Sequence, residues 1–251
     1  MVIANPPAVS IEGLDFRYPG SDAALLTNVS LTIGKGESFG LFGPNGAGKT
    51  TLMNLMTGVL NANAGHVKIL GHPMGTTSKK VNRLFGFVPQ DLSFYYELSP
   101  IENMEFYGAW AGLDRKRIKK RTAELLHILG LEDVKKKQVS KFSGGMKRRV
   151  NLAIGVIHNP LVLFLDEPTV GVDVQTRHAI ISYLKELNEN GTTLIYTSHQ
   201  LSEAEALCRD IALIDSGKIV AEGTLDELSK KHKKRNLEEL FLSLTGKDFR
   251  D

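Results

Sequence analysis

Apolar residues along the chain change rhythm several times. In VSIEGLDFRY (9–18) and NVSLTI (28–33) β-branched and apolar residues alternate, imperfectly in the first, and predict two early strands. ESFGLFG reads as a buried strand running into a glycine loop, and KTTLMNLMTGVL as a helix that weakens at Gly58. From about Gln90 the texture is helical. ENMEFYGAWAG and DRKRIKKRTAELLHILG predict two helices, the second with Ile118, Leu125, Leu126 and Leu129 on one apolar face. Strand and helix then alternate: LVLFLDEP a buried strand, VQTRHAIISYLKELNEN a helix ended by Gly191, TTLIYTSH a strand, and IALIDSGKIVAEG a hairpin. Such alternation predicts an α/β fold with a mainly parallel sheet covered by helices and a helical insertion at about 91–158. KKHKKR (230–235) reads as a solvated linker, with contact to anionic lipid as the alternative, and LEELFLSLTG as a short amphipathic helix. Residues 1–229 are thus expected to form the main domain and 230–251 a linker and helix.

Composition changes little in this picture. Of 251 residues, 42% are hydrophobic and 24% charged, and the net charge of +3 demands no polyanionic partner, so no nucleic acid is expected. The single cysteine, Cys208, cannot form an internal disulfide; EAEALCRD reads as helix with the sulfur inward, which fits a reducing cytosol. MVIANPPAVS lacks the basic start and apolar run of a signal peptide, and no window approaches the ~18 consecutive apolar residues of a membrane span.

Three strand ends carry candidate chemistry. The first leads into Gly43, Pro44, Asn45, Gly46, Ala47, Gly48, Lys49, Thr50 and Thr51, which fits GxxxxGK(S/T) between a strand and a helix. Glycines there let backbone N–H groups point at phosphates, with Pro44 the one member that has none to give. Lys49 supplies charge and the Thr50 hydroxyl a ligand for Mg²⁺. A purely structural glycine turn is the alternative. The second is LVLFLDEP, ending in Asp166 and Glu167 at what should be the carboxyl edge of the sheet. An Asp there suits Mg²⁺ and a Glu one residue on suits an attacking water; alone, the pair would read as a strand-end turn. The third is TTLIYTSH, closing on His199, which by itself would more often be a satisfied structural residue. KFSGGMKRRV adds Ser143, Gly144 and Gly145, a cap and two bare backbone positions opening a helix, as anion sites are built.

GPNGAGKTT, Gln90 in FVPQD, FSGGM, LFLDEP, the VGVD at 170–173 and His199, in that order, resemble the ATP-binding subunit of an ABC transporter over roughly residues 8–225. The resemblance implies a P-loop NTPase core with an N-terminal antiparallel β-subdomain and a helical insertion, and ATP and Mg²⁺ as cofactors. It makes Lys49 the phosphate clamp, Thr50 the Mg²⁺ ligand, Asp166 its partner through water, and Glu167 the general base. Gln90 becomes the sensor of the γ-phosphate and Mg²⁺, His199 a γ-phosphate contact, and Tyr18 in DFRYPG the aromatic under adenine. Without the other motifs Tyr18 would read as a strand-end tyrosine in an edge hairpin. The family's usual LSGGQ is here FSGGM and its common SGLD is VGVD. Ser143, Gly144, Gly145 and Asp173 keep the polar and backbone functions, whereas Met146 loses a side-chain amide near the nucleotide. Ser143 and Gly144 are expected to cap the γ-phosphate of a facing subunit, so that ATP joins a dimer, a homodimer by default.

A membrane permease follows as partner. Residues 85–110 hold Phe85, Phe87, Phe94, Tyr95, Tyr96, Phe106, Tyr107 and Trp110, which suit the core of the insertion or a docking groove. Core packing is expected to take most of them, yet three consecutive rings at 94–96 cannot all face inward. In the resembled family this region receives the transmembrane subunit, which places the chain on the cytoplasmic face of the membrane. NLEELFLSLTGKDFRD together with FSGGMKRR is similar to the exporter-type subfamily whose permeases move drugs, lipids or polysaccharides outward. Two readings compete: an ATPase of the same superfamily acting on a macromolecular assembly, and a non-catalytic nucleotide-gated scaffold, which Glu167 and His199 disfavour.

Overall fold

The computed structural model describes residues 6–75, 81–198, 201–234 and 237–245. In chain order its elements are strands β1 (Val9–Phe16), β2 (Leu26–Ile33) and β3 (Ser38–Phe42), helix α1 (Lys49–Met56), and strands β4 (Ala64–Ile69), β5 (His72–Pro73) and β6 (Phe85–Val88). Helices α2 (Pro100–Trp110), α3 (Arg115–Ile128) and α4 (Gly144–Val156), strand β7 (Val162–Asp166), helix α5 (Val174–Glu189) and strand β8 (Thr193–Ser198) follow. Helix α6 (Leu201–Leu207), strands β9 (Asp210–Asp215) and β10 (Lys218–Thr224), and helices α7 (Leu225–His232) and α8 (Leu237–Thr245) complete the chain. Two compact units result, one of residues 1–81 with 193–251, the other of residues 82–192.

In the first unit β1 lies between β2 and β4, antiparallel to both, with Val9 opposite Ile33 and Ile69. The imperfect alternation of VSIEGLDF has a physical cause: the register slips on both sides of Gly13, whose φ of 57° marks a bulge. β3 runs parallel between β8 and β9, and β10 closes antiparallel on β9. Flanked on both edges, β3 is buried at all five positions, as its unbroken SFGLF requires. Cys208 is buried one residue beyond α6 rather than within it, and burial pushes its thiol up to about 12.

In the second unit β6 and β7 pair in parallel with Val88 opposite Leu165. Helix α2 starts at Pro100, two residues before the expected Glu102, because Ser99 and Glu102 form a capping box with proline at the first position. Asp114 caps α3, whose Ile118, Leu125 and Leu126, with Leu129 at its end, form the expected buried face. Arg121 of α3 donates to the Val156 and Ile157 carbonyls ending α4, at 3.3 and 3.4 Å, and so satisfies acceptors that a helix end leaves open. A Cβ on Gly86 would lie 2.2 Å from the Gly155 carbonyl oxygen, so β6 touches α4 only because both positions are glycine. His158 Nε2 meets the Phe85 carbonyl at 2.9 Å, and burial holds this ring's pKa below its ordinary value.

Several expectations are corrected. β4 and β6 are strands that the apolar pattern of the chain does not announce. The compact second unit takes in β6, β7 and α5 as well as the helices expected over 91–158. Lys230, Lys231 and His232 are the last turn of α7, not linker. Of the eight rings between 85 and 110, Tyr95, Tyr96, Phe106 and Trp110 are exposed and only Phe85 and Phe94 are buried, so core packing does not take most of them. Among the described residues no helix is long and apolar enough to cross a membrane.

Candidate functional site

β3 feeds a loop in which the glycines have distinct tasks. A Cβ on Gly43 would lie 2.1 Å from the Ile214 carbonyl oxygen, and one on Gly48 would lie 2.6 Å from the Leu26 side chain. Gly46 and Gly48 hold φ of 80° and 107°, a region other residues enter only under strain. Gly48 is also the N-cap of α1, and no side-chain oxygen caps the helix there, which suits its first-turn donors to a bound anion. Lys49 is buried and its ammonium lies back along the loop, donating to the carbonyls of Gly43 at 2.7 Å and Pro44 at 3.1 Å. Ala47 N–H donates to the Pro44 carbonyl at 3.1 Å, so the residue without an N–H serves the turn as acceptor. Asn45, Gly46 and Thr50 are exposed; Thr51 is buried.

Tyr18 lies just beyond β1. Its hydroxyl is 3.0 Å from Thr51 Oγ1 and its ring stands edge-on to Phe16, yet 43% of the residue stays exposed. An exposed ring is therefore fixed to the first turn of the phosphate-loop helix. The β9–β10 turn was missed as part of this site. Ser216 and Gly217 have φ of 49° and 74°, a two-residue hairpin turn, and Gly217 N–H donates to the Ala47 carbonyl at 3.2 Å. SG between two apolar runs announced a turn; where it docks is a tertiary fact.

The second unit carries the carboxylates. All five residues of β7 are buried, and the strand ends on Asp166. Glu167 is buried with φ 48°, an uncommon conformation for a side chain of this kind. Because β6 and β7 end side by side, Gln90, two residues past β6, reaches Glu167: Nε2 donates to Oε2 at 3.2 Å. Arg148 of α4 donates to the Gln90 carbonyl. Desolvation holds its guanidinium below the ordinary value, opposed by the carboxylates of Glu167, Asp91 and Asp166.

Ser143 is the N-cap of α4, its Oγ accepting from Met146 N–H at 3.3 Å. Ser143 and Gly144 are exposed, while a Cβ on Gly145 would meet Thr176 Oγ1 at 3.3 Å, so the two glycines serve different ends. Met146 contributes its backbone to the cap. Asp173 caps α5, accepting from Thr176 N–H and Oγ1, both at 2.8 Å, and these bonds hold its carboxyl below the usual range. His199 lies outside the described residues. Just before it, Ser198 and Tyr196 donate to the buried Glu203 at 2.9 and 2.6 Å.

A strand, a glycine loop and an uncapped helix, with buried acid at another strand end, define a P-loop nucleotide-binding ATPase. A family model described as "ABC transporter" matches residues 26–170. The linearmycin resistance ATP-binding protein LnrL of Bacillus subtilis (strain 168) is 42% identical over 82% of this chain and 67% of its own length. Nod factor export ATP-binding protein I of Rhizobium sp. (strain N33) is 37% identical over 90% of this chain and 73% of its own. Among solved structures, the dimeric post-hydrolysis state of an ATP-binding cassette bound to ADP and Pi superposes with a TM-score of 0.80 at 27% identity, over 86% of this chain and 98% of that one. The chain belongs to the ABC transporter family, as one of its ATP-binding, ATP-hydrolysing members.

Proposed function

We propose that this ATPase dimerises on ATP and powers a separate membrane permease that exports drugs, lipids or polysaccharides, working from the cytoplasmic face. Two relatives similar to it are a resistance and an export ATP-binding protein, and a similar cassette is a dimer with ADP and Pi, which supports export and dimerisation. Lys49 and the backbone of residues 43–51 hold the outer phosphates, Tyr18 stacks under adenine, and Ser143, Gly144, Gly145, Met146 and Asp173 face the nucleotide of the partner subunit. Glu167 orients or deprotonates the attacking water, and Gln90 and His199 contact the γ-phosphate.

Thr50, Asp166 and Gln90 offer the hard oxygens that Mg²⁺ prefers. When bound, Mg²⁺ would supply neutralisation of phosphate charge, and Thr50, Asp166 and Gln90 would be the residues to hold it.

The observation that carries the permease reading is a set of rings in the second unit. Tyr95 packs edge-on against Phe106 at 4.9 Å and Phe106 against Tyr107 at 5.2 Å, while Tyr95, Phe106 and Trp110 stay 46%, 46% and 76% exposed. Rings that stack on one another yet face water suit a protein partner. The chain, recovered from its own cells, is expected to co-purify with an integral permease from membranes, and Tyr95→Ala with Phe106→Ala to lose it. Recovery in a soluble macromolecular complex would favour the rival reading.

A further inference from the structure

Residues 89–93 belong to no helix or strand, so no ladder holds their backbone. Helix α4 supplies the missing partners. Arg148 donates to the Gln90 carbonyl, and Asn151, one turn on and on the same face, uses both ends of its buried amide. Its Nδ2 donates to the Pro89 carbonyl at 3.2 Å and its Oδ1 accepts from Ser93 N–H at 3.3 Å. An amide can donate and accept at once, which neither a carboxylate nor an apolar side chain of that size can do. The segment is thereby gripped before, at and after Gln90. The helix that grips it starts at the Ser143 cap, and Gln90 itself reaches Glu167.

We propose that Arg148 and Asn151 are positioning residues that fix the Gln90 segment to α4, so that the γ-phosphate sensor and the Ser143 cap move as one piece. Displacing the cap helix then displaces Gln90 from Glu167. The catalytic half of this inference rests on Gln90 acting at the nucleotide, and the geometric half does not.

Both halves are tested on the full chain by amide hydrogen exchange and steady-state ATP hydrolysis. In Arg148→Met with Asn151→Leu, exchange over residues 89–94 is expected to rise about tenfold or more while β7 stays protected. Arg148→Met should lower kcat about tenfold with KM for ATP within about twofold, and Arg148→Lys should recover most of the loss. In a Gln90→Ala background, Arg148→Met should cost less than about twofold more, since the group it positions is gone. Unchanged exchange over 89–94, or exchange raised equally in β7, overturns the grip. The same tenfold loss in both backgrounds overturns the route through Gln90. Normal hydrolysis by Gln90→Ala alone overturns the reading of Gln90 as sensor, and exchange then decides the grip by itself.

Discussion

At the scale of single residues, Glu167 bears the strongest constraint: its side chain is buried and its backbone sits at φ 48°. Gln has the same shape and tolerates that backbone no better or worse, so Glu167→Gln separates chemistry from fold. ATP binding is expected to persist while single-turnover hydrolysis falls on the order of 10²- to 10⁴-fold, the usual worth of a positioned base. Turnover within about threefold of the native chain would remove Glu167 from that role. Asp166 and Glu167 were legible because an apolar run stopped on two acids. The contacts that give other site residues their work were not legible, because they join positions distant in sequence. Tyr18 is fixed by Thr51, Gln90 meets Glu167 across a strand pair, and Gly217 braces Ala47. The Ser143 cap was legible, whereas Asp173 spends side-chain acceptors on capping its own helix, a local duty that its motif conceals.

Among the elements, strands with an apolar run or an apolar alternation and helices with an apolar face were readable, and two short strands with neither were not. β4, AGHVKI, buries only Val67 and Ile69, and β6, FGFV, is four residues long with a glycine that serves close approach to α4 rather than a turn. Helix α2 shows what a capping box is worth. Ser99 N–H and Oγ both donate to Glu102 Oε2, at 2.8 and 2.6 Å, and Glu102 N–H returns a bond to Ser99 Oγ at 3.4 Å. Ser99→Ala is expected to destabilise the chain by about 1 kcal/mol in denaturant titration at neutral pH. The pH dependence has a definite sign. Those bonds hold the Glu102 carboxyl below its ordinary value, the side-chain bond to Ser99 first and the backbone bond second. Its contribution is therefore present above the unfolded pKa and lost as pH falls through the folded one. The gap between native and Ser99→Ala stabilities should narrow in acid; a gap that widens there would contradict the capping box.

For the molecule as a whole, the question is why a chain with one phosphate loop keeps a second exposed helix start at Ser143. Ser143 Oγ accepts from Met146 N–H, which uses a lone pair and leaves its O–H as a donor. A Cβ on Gly144 would meet nothing nearer than the Gly171 carbonyl oxygen at 3.8 Å, so the backbone there is bare to a large anion. One hydroxyl can thus cap its own helix and bind another subunit's phosphate, and the two duties can be separated. Asp caps a helix as well as Ser does, but offers a phosphate a negative charge and no donor. Ser143→Asp should leave folding stability and monomer ATP binding near native yet abolish ATP-driven dimerisation, measured by sedimentation in the Glu167→Gln background. Ser143→Arg should also abolish dimerisation, by bulk, while losing the cap. Normal dimers in Ser143→Asp would restrict Ser143 to its own helix, and ATP would then have to join two subunits through other groups.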